Sequence, residues 1–453
     1  MTSSQAQNVL AEIEKSSHGK VKVAITDIDG ILRGKYLHKD KFLGAAKSGF
    51  GFCSVVFGWD ANDVCYDNAR FTGWHTGYPD AQARIDLSTY RKVPWDGEVP
   101  FFLGDFVDEG GRPLAVCPRQ TLKAVLARAE AQGMAAKCGM EFEWFNFRET
   151  PQSLEAKGGR APTPMSPGMF GYSLLRMGQN LPFFNALMDD LAAFGVPIEG
   201  LHTETGPGVV EAAILYSAAL EAADRAVLFK SAAKDIGHRF GIMPSFMAKW
   251  STELPGCSGH VHQSLWRGDE NLFFAAGEPD AMSATFRSYV AGQLACLPEI
   301  LPMFAPTVNS YKRLVDGYWA PTKPTWGVDN RTVAARVIPG SEKSTRVETR
   351  VPGSDANPYL AIAGCLAAGL WGVERKLELT EAPIKGSAYV EGPAGRLPRN
   401  LHEAATKMGE SKIARELFGE AFVEHFVATR LWEWRQYQEA VTDWELRRYF
   451  EVI

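Results

Sequence analysis

The segment "MEFEWFNF" (residues 140–147) is strongly apolar, yet two glutamates interrupt it at alternate positions. Successive residues of a β-strand point to opposite faces of a sheet, so the segment predicts a strand with Glu141 and Glu143 side by side on one face. Such a pair can lie on a solvated strand face. Two carboxylates so close also repel each other unless a cation lies between them. The folded protein must therefore either expose this strand face to water or use it to line a cation site.

A second alternating segment, "STRVETR", places Arg346, Glu348 and Arg350 on one face of a predicted strand. A carboxylate between two arginines can form an internal ladder of ion pairs. Further basic side chains lie shortly upstream: Arg331, Arg336 and Lys343. Together they carry more positive charge than one glutamate neutralises. Clustered guanidinium groups fit the oxygens of phosphate or carboxylate ligands, so the pattern favours an anion site.

Two more segments carry side chains suited to ligand binding. In "HTETGPGVVEAAI", Glu204 and Glu211 flank a Gly-Pro-Gly turn that can bring both carboxylates to one place, although a surface hairpin would look the same. In "SGHVHQSLW", His260, His262 and Ser264 share one strand face. A single histidine is usually structural, but two in alternation followed by a hydroxyl favour a metal or phosphate site.

The combined set, glutamates with an imidazole beside separate arginines, indicates a particular chemistry. Sites rich in oxygen ligands with one imidazole suit Mg²⁺ or Mn²⁺ better than zinc. Divalent cations next to guanidinium groups are the working parts of phosphoryl transfer, where charge neutralisation and positioning do most of the catalysis. The sequence contains no GxxxxGK[ST] loop and no kinase glycine-rich loop, so a nucleotide site would have another design.

Length and charge narrow the class of protein. A chain of 453 residues predicts two or three domains. A net charge of -5 and the lack of a Lys/Arg-rich tract argue against nucleic acid as a partner. The sequence contains no run of about 18 apolar residues, so no membrane span is predicted. The seven cysteines are scattered without a CxxC motif, as expected for reduced thiols, so we expect a cytoplasmic protein.

The chain divides into a strand-rich start and a longer mixed part. "VKVAITDI", a turn at Asp29-Gly30 and "ILRGKYL" predict a hairpin, and "FCSVVF" and "VPFFLGDF" predict further strands. Turn residues in "DEGGRPLAVCPRQ" predict a domain boundary. The predicted helices cover 118–132, 182–194, 217–240, 281–297, 357–376 and 420–449. Residues 149–173, rich in proline and glycine, predict a long loop.

The order of these segments resembles one family. "EFEWF", "HTETGPGVVE", "SGHVHQS", "NSYKRLVDGYWAP", "DNRTVAARV" and "RVETRVPGSDANPYLAIA" are similar to the successive motifs of the glutamine synthetase family. The resemblance begins near residue 20 and covers the rest of the chain. It implies an α+β fold, with an N-terminal β-grasp domain at 20–108. It also implies a C-terminal catalytic domain at 113–453, in which helices surround an antiparallel sheet.

The resemblance also assigns roles to residues that match the family's motifs. It implies two or three Mg²⁺ or Mn²⁺ ions per active site, one held by Glu143, Glu204 and Glu211 and a second by Glu141, His260 and Glu348. The ATP-site residues it implies are His262, Ser264, Arg336 and Lys343. Arg313 and the backbone of Gly256 would bind glutamate, and Arg331 and Arg350 would stabilise the transferring phosphoryl group and the acyl phosphate.

The reaction implied by the resemblance has two steps. The γ-carboxylate of glutamate attacks the γ-phosphate of ATP, which gives γ-glutamyl phosphate and ADP, and an amine then displaces phosphate to form an amide. Phosphorylation supplies the leaving group that a carboxylate lacks at neutral pH. Family members assemble as double rings, so we expect a homo-oligomer, a dodecamer of two hexameric rings with active sites between subunits.

Several positions depart from the pattern of ammonia-using members. Trp319 stands where those members carry a flap glutamate that binds or deprotonates ammonium. The N-terminal segment lacks the motif that supplies an ammonium-site aspartate, and Asp60 and Asp63 are the candidates for that role. Val209-Val210 replace a polar pair, and Pro255 replaces an asparagine before Gly256. These departures resemble the branch that ligates glutamate to polyamines, ethanolamine or alkylamines.

The substrate prediction is therefore glutamate, ATP and an organic amine, with other interpretations left open. The chain can be an authentic glutamine synthetase with a variant flap, or a non-catalytic assembly of the same fold. Pro255 also permits a different acid substrate. Trp319 can pack against a neighbouring subunit instead of lining the amine site, since tryptophan is enriched at protein interfaces.

Overall fold

Two β-sheets, one of five strands and one of ten, organise the chain. The computed structural model describes residues 2–390 and 394–453. The strands are β1 Lys20–Thr26, β2 Leu32–His38, β3 Phe50–Cys53, β4 Asp80–Val93, β5 Val99–Val107, β6 Ala135–Phe147, β7 Ile198–Thr203, β8 Val209–Ile214, β9 Ser217–Ala218, β10 Met243–Ser245, β11 Gly259–Arg267, β12 Glu270–Asn271, β13 Trp326–Val328, β14 Ala335–Ile338 and β15 Arg346–Thr349.

The helices lie mainly in the second half of the chain. They are α1 Ser3–Lys15, α2 Lys39–Ser48, α3 Pro118–Glu130, α4 Pro151–Ala156, α5 Leu174–Gly178, α6 Leu181–Ala193, α7 Ala219–Arg239, α8 Ala284–Ile300, α9 Ser310–Arg313, α10 Pro358–Glu374, α11 Leu401–Glu410, α12 Lys412–Phe418, α13 Glu420–Glu439 and α14 Asp443–Tyr449. In the described part of the chain, none of them is long and apolar enough to span a bilayer. Helices and mixed sheets together confirm the predicted α+β class.

The smaller sheet has the order β2-β1-β5-β4-β3. The predicted hairpin of β1 and β2 is confirmed, and Asp27 closes its turn by accepting hydrogen bonds from the amides of Asp29 (3.0 Å) and Ile31 (2.9 Å). Alternate side chains of β1 enter different cores. Val23 packs in the cluster that contains helices α1 and α2, whereas Ala24 packs in the large cluster of the rest of the chain. Both faces of this sheet are therefore covered.

The larger sheet runs β13-β14-β15-β11-β6-β8-β7, and the short strands β9, β10 and β12 attach to it. Its apolar face packs on helix α7. Phe142 and Trp144 lie against Phe229 of that helix, with ring centroids 5.8 Å and 5.3 Å apart. Since residues alternate along β6, the burial of these two rings turns Glu141 and Glu143 to the opposite face.

Several predicted boundaries were wrong. "FCSVVF" is a strand only as far as Cys53, after which Ser54–Phe57 form a 3₁₀ turn. The helix predicted over 420–449 is broken at Ala440, because Thr442 caps a separate helix α14 with a reciprocal bond to Glu445. The predicted loop 149–173 contains helix α4. Helices α1, α2, α5, α9, α11 and α12 were not predicted at all.

A buried ion cluster ties the smaller sheet to helices α3 and α7. Arg119 of helix α3 is 2% exposed. Its guanidinium group donates to both carboxylate oxygens of Asp224 on α7 (2.9 Å each) and to Asp105 on β5 (2.8 Å). Asp86 on β4 lies 2.9 Å from the same group. The proposed domain boundary falls between β5 and α3, so this cluster joins elements on both sides of it.

Replacement of Arg119 by methionine should destabilise the protein strongly. The change keeps most of the side-chain volume but leaves the buried carboxylate of Asp224 without a counter-ion, which typically costs about 3–5 kcal/mol. Denaturant unfolding at a fixed protein concentration measures the loss. The exposed pair of Arg112 and Asp108 provides a control, since Arg112→Met should change the free energy of unfolding by less than about 1 kcal/mol. Equal effects of the two variants would contradict the prediction.

Candidate active site

Strand register places the charged residues of the larger sheet directly opposite one another. In neighbouring strands, the paired positions are Glu211 with Glu143, Glu141 with His260, His262 with Glu348, and Glu348 with Arg336. Side chains at paired positions lie on the same face, with Cβ atoms about 4.5–5.5 Å apart. Five adjacent strands, β8, β6, β11, β15 and β14, therefore build one continuous charged surface.

One group of carboxylates consists of Glu143, Glu204 and Glu211. One oxygen of each lies within 4.8 Å of the others. Glu204 reaches the group through the turn before β8, where Gly208 has φ +70° and a Cβ would meet the carbonyl oxygen of Asn146 at 2.4 Å. The Oε2 atom of Glu204 is buried and, within the part of the chain that the structure describes, has no hydrogen-bond partner. Burial, and then the charge of Glu143, raises the pKa of Glu204.

The charge of Glu211 is balanced on one side by a histidine. Burial, followed by the charges of Glu141 and Glu143, raises the pKa of Glu211 to about 7, against the lowering effect of His202. The Nε2 atom of His202 lies 3.1 Å from Glu211, and this contact raises the pKa of His202 to about 9. His202 is thus an imidazolium ion at neutral pH.

Tyr172 covers this pair from the long loop before α5. Its ring stacks on the imidazole of His202 with centroids 4.4 Å apart. Sequence reasoning missed both residues. His202 could have been found, since it alternates with Glu204 in "HTE", but nothing in the sequence around Tyr172 indicates that it lies here.

A second group of possible metal ligands consists of Glu141, His262 and Glu348, whose ligand atoms also lie within 4.8 Å of one another. His260 is equally close, because its Nδ1 atom lies 3.0 Å from Glu141 and 3.2 Å from Glu348. Its Nε2 atom is buried and has no hydrogen-bond partner among the described residues. The family resemblance implied His260 for this group and His262 for ATP, whereas the structure brings both imidazoles to Glu141.

Arginines surround Glu348. Arg336 donates to it from 2.8 Å, and Arg350 forms an ion pair with it. Burial raises the pKa of Glu348, but His260, Arg350 and His262 outweigh burial and lower it to about 2. Arg331 lines the same cavity, and in the described part of the chain its guanidinium group has no carboxylate within 4.0 Å. Unlike Arg336 and Arg350, Arg331 is therefore free to meet an incoming anion.

Two cavities meet at Glu141. One, of about 350 Å³, is lined by His262, Ser264 and Lys343. The other, of about 430 Å³, is lined by Glu141, by the group of Glu143, Glu204 and Glu211, by His260 and by the arginines 313, 331, 336 and 350. Three of the four predicted ATP residues therefore lie together, whereas Arg336 lies in the adjoining cavity. Glu141 forms the wall between a candidate nucleotide chamber and a candidate acid chamber.

Arg313 forms the floor of the larger cavity. It is 3% exposed and donates to the carbonyl oxygens of Val351 (2.9 Å) and Arg350 (3.2 Å). Gly256 lies against it, since a Cβ at Gly256 would meet Arg313 Cγ at 2.9 Å and Ala248 O at 2.3 Å. Only glycine leaves the space that this close approach needs.

Trp319 lies at the mouth of the same cavity. It is 58% exposed and adopts φ +62°, a backbone conformation that is uncommon for a bulky residue. The neighbouring ring of Tyr318 lies 4.1 Å from the ammonium group of Lys249. Within one chain, Trp319 therefore faces both the cavity and the solvent.

Asp60 and Asp63 do not reach this cavity in their own chain. Asp60 accepts a hydrogen bond from the indole of Trp432 (3.0 Å) on α13, and Asp63 forms an ion pair with Arg33 (2.8 Å). Their predicted role requires the site of a neighbouring subunit, and it stays a prediction.

The two acidic groups have the donor set that a hard divalent cation needs. Carboxylate oxygens with imidazole nitrogen suit Mg²⁺ or Mn²⁺. The unpartnered Glu204 Oε2 and His260 Nε2 are buried polar atoms that a ligand ion would satisfy. A cation would also offset the repulsion that raises the pKa values of Glu204 and Glu211. The residues therefore fit one divalent cation at each group.

Comparisons with known proteins show which family this chain resembles in sequence and in structure. The family model described as the glutamine synthetase catalytic domain matches residues 115–449. A type-1 glutamine synthetase of Dictyostelium discoideum is 57% identical over 98% of this chain and 86% of its own length. A glutamate–isopropylamine ligase of a Pseudomonas species is 38% identical over 97% of both chains. The solved structure of a GmaS/ADP complex superposes with a TM-score of 0.85, at 29% identity over 98% of this chain and 99% of that chain.

Cation affinity should fall below neutral pH. A raised carboxylate pKa means that the folded protein keeps the proton of Glu211 up to about pH 7, so a cation must displace that proton at lower pH. Calorimetric titration with Mn²⁺ should give binding about tenfold weaker at pH 6 than at pH 8, because one pKa unit corresponds to about 1.4 kcal/mol. Glu211→Gln should remove most of this pH dependence, and an affinity independent of pH in the unmodified protein would contradict the assignment.

Proposed function

Because the chain belongs to the glutamine synthetase family, we propose that it joins the γ-carboxylate of glutamate to an organic amine in an ATP-dependent reaction. Members of this family are carbon–nitrogen ligases that use ATP and divalent cations, and this chain is a ligase of that family. The observation that carries the choice of an organic amine is Trp319. It lines the candidate acid chamber at the position where ammonia-using members carry glutamate.

The two chambers support separate binding sites for ATP and for glutamate. ATP would occupy the chamber lined by His262, Ser264 and Lys343, with its γ-phosphate towards Glu141. Glutamate would occupy the larger chamber, with a carboxylate near the buried Arg313. Mg²⁺ or Mn²⁺ ions, held by the two acidic groups, would supply positive charge that offsets the phosphate oxygens.

The first step transfers a phosphoryl group. A γ-carboxylate oxygen of glutamate attacks the γ-phosphorus of ATP, and the bond from that phosphorus to the bridging oxygen breaks, giving γ-glutamyl phosphate and ADP. Arg331 has no carboxylate partner within 4.0 Å among the described residues, so its guanidinium group can meet the equatorial oxygens as their charge spreads. Arg350 keeps its ion pair with Glu348 and lies beside the same chamber.

The second step forms the amide. The amine nitrogen attacks the γ-carbonyl carbon, the bond from that carbon to the phosphate oxygen breaks so that inorganic phosphate leaves, and the amine proton passes to solvent. The indole of Trp319 cannot take up that proton. It can attract a cationic amine through its π face by roughly 0.5–2 kcal/mol and contact the attached carbon atoms. Val209 and Pro255 line the same chamber and add apolar surface. This composition supports a carbon-bearing amine over ammonia.

Ammonia is the second candidate, and one observation favours it. The Dictyostelium relative that is 57% identical is a glutamine synthetase by name. The isopropylamine ligase is more distant, at 38% identity. Sequence distance thus favours ammonia, whereas Trp319 favours an organic amine.

We also propose that the enzyme acts as a ring-shaped homo-oligomer. Asp60 and Asp63 are bound to Trp432 and Arg33 of their own chain and lie away from its chamber. If they complete a site, that site belongs to a neighbouring subunit. A dodecamer of two hexameric rings is the assembly that the family resemblance implies.

Phosphate release across a panel of amines tests the function. With glutamate, ATP and Mg²⁺, we expect faster turnover with isopropylamine, ethanolamine or putrescine than with ammonium, and mass spectrometry should identify the γ-glutamyl amide. Faster turnover with ammonium than with every organic amine would establish the second candidate. No phosphate release with any amine, but release with another amino acid in place of glutamate, would instead reassign the acid.

Replacing Trp319 by glutamate should shift the preference towards ammonium. A carboxylate at this position can bind ammonium and accept its proton, whereas the indole can do neither. We expect the ratio of kcat/KM for ammonium to that for the best organic amine to rise at least about tenfold, which corresponds to about 1.4 kcal/mol. Trp319→Phe is the matched control, because it keeps an aromatic face and should leave the ratio near that of the unmodified enzyme. A similar ratio in all three proteins would show that residue 319 does not contact the amine.

A further inference from the structure

A second segment of the chain runs along the loop that carries Trp319. We define the flap as residues 316–322 and the strap as residues 381–390 with 394–397. The indole of Trp326, just after the flap, donates to Glu381 O (2.8 Å). The amide of Asn330 donates to Gly386 O (2.7 Å). The strap therefore follows the same stretch of chain that leads to Arg331.

The strap also holds the end of the flap itself. The ammonium group of Lys323 donates to Val390 O (2.6 Å), and the amide of Leu397 donates to Thr322 O (3.0 Å). These contacts fix the C-terminal end of the flap from both described parts of the strap. Mobility of the flap then depends on its N-terminal end.

Asp316 secures that N-terminal end with both carboxylate oxygens. Its Oδ1 atom accepts a hydrogen bond from the Thr322 hydroxyl (2.6 Å), which closes the flap onto itself. Its Oδ2 atom forms an ion pair with Arg396 of the strap. One carboxylate thus joins the two ends of the flap to each other and to the strap.

We propose that the ion pair of Asp316 and Arg396 is a latch that holds the flap over the acid chamber. Both residues are positioning residues, since neither lines that chamber. The flap tip carries Gly317 at φ +85° and Trp319 at φ +62°, so the backbone is held in a restricted conformation between the two fixed ends. The latch keeps the indole of Trp319 at the mouth of the chamber.

The chemical consequence concerns water. In the proposed reaction, γ-glutamyl phosphate waits for an amine. A water oxygen that attacks the γ-carbonyl carbon instead releases phosphate and regenerates glutamate, with loss of a proton to solvent. A closed flap excludes water from such an intermediate. This consequence rests on the acyl phosphate of the proposed function, whereas the latch itself does not depend on it.

The latch can be tested directly by amide hydrogen exchange on the full-length protein. Asp316→Asn keeps an oxygen for Thr322 but removes the ion pair, and Arg396→Gln removes the pair from the other side. Surface ion pairs contribute up to about 1 kcal/mol, so exchange in peptides that cover the flap should become about three- to fivefold faster in either variant. The double variant should be no faster than the single variants, because all three lack the same contact.

A matched ion pair supplies the control. Arg375 and Glu416 are 37% and 44% exposed, close to the 42% and 35% of Arg396 and Asp316. Arg375→Gln should leave exchange in the flap unchanged. Unchanged flap exchange in Asp316→Asn and Arg396→Gln, or additive effects in the double variant, would overturn the proposal.

A second readout separates the latch from the proposed function. In the latch variants, phosphate released without added amine, divided by amide formed with saturating amine, should rise several-fold, while thermal unfolding stays within a few degrees of the unmodified protein. A latch variant with faster flap exchange and an unchanged ratio would show that the latch does not exclude water. If the unmodified protein forms no amide, the proposed function fails, whereas the exchange measurement still decides whether the latch exists.

Discussion

Five adjacent strands of the larger sheet hold carboxylates, imidazoles and guanidinium groups on one face, and the rest of the site depends on this crowding. Glu143 and Glu211 lie at paired positions of adjacent strands and repel each other. On a flexible loop in water, two such carboxylates would move apart. They stay together because the opposite face of β6 is buried, with Phe142 and Trp144 packed on helix α7. The apolar core therefore supplies the free energy that holds like charges together in the absence of a ligand.

The site balances its charges in two ways. Around Glu348, arginines provide fixed positive charge, so the pKa of this carboxylate is low. Around Glu204 and Glu211 the counter-charge is one imidazolium, and their pKa values are raised. Arg336 and Arg350 already offset the charge of Glu348. The group of Glu143, Glu204 and Glu211 has less positive charge around it, which favours binding of a divalent cation or a cationic substrate.

The sequence predicted which side chains share a strand face better than it predicted which strands lie next to each other. Alternation in "MEFEWFNF" and "STRVETR" identified which side chains share a face, because that depends only on local strand geometry. Which strands adjoin is decided by packing between residues far apart in the chain, so the nearness of both His260 and His262 to Glu141 was only half predicted. Tyr172 and Arg396 gave no local signal, since their positions follow from loops whose paths depend on tertiary contacts. The break before α14 was predictable, because Thr442 and Glu445 have the spacing of a capping box.

Glu141 lies between the two chambers and lines both of them. If filling one chamber changes the orientation or charge of Glu141, the ligand affinity of the other chamber changes as well. By thermodynamic reciprocity, whatever factor nucleotide binding adds to affinity for the acid must equal the factor that the acid adds to affinity for the nucleotide. The order in which the two ligands arrive is then decided by their binding rates, while the free energy gained when both chambers are filled is the same in either order.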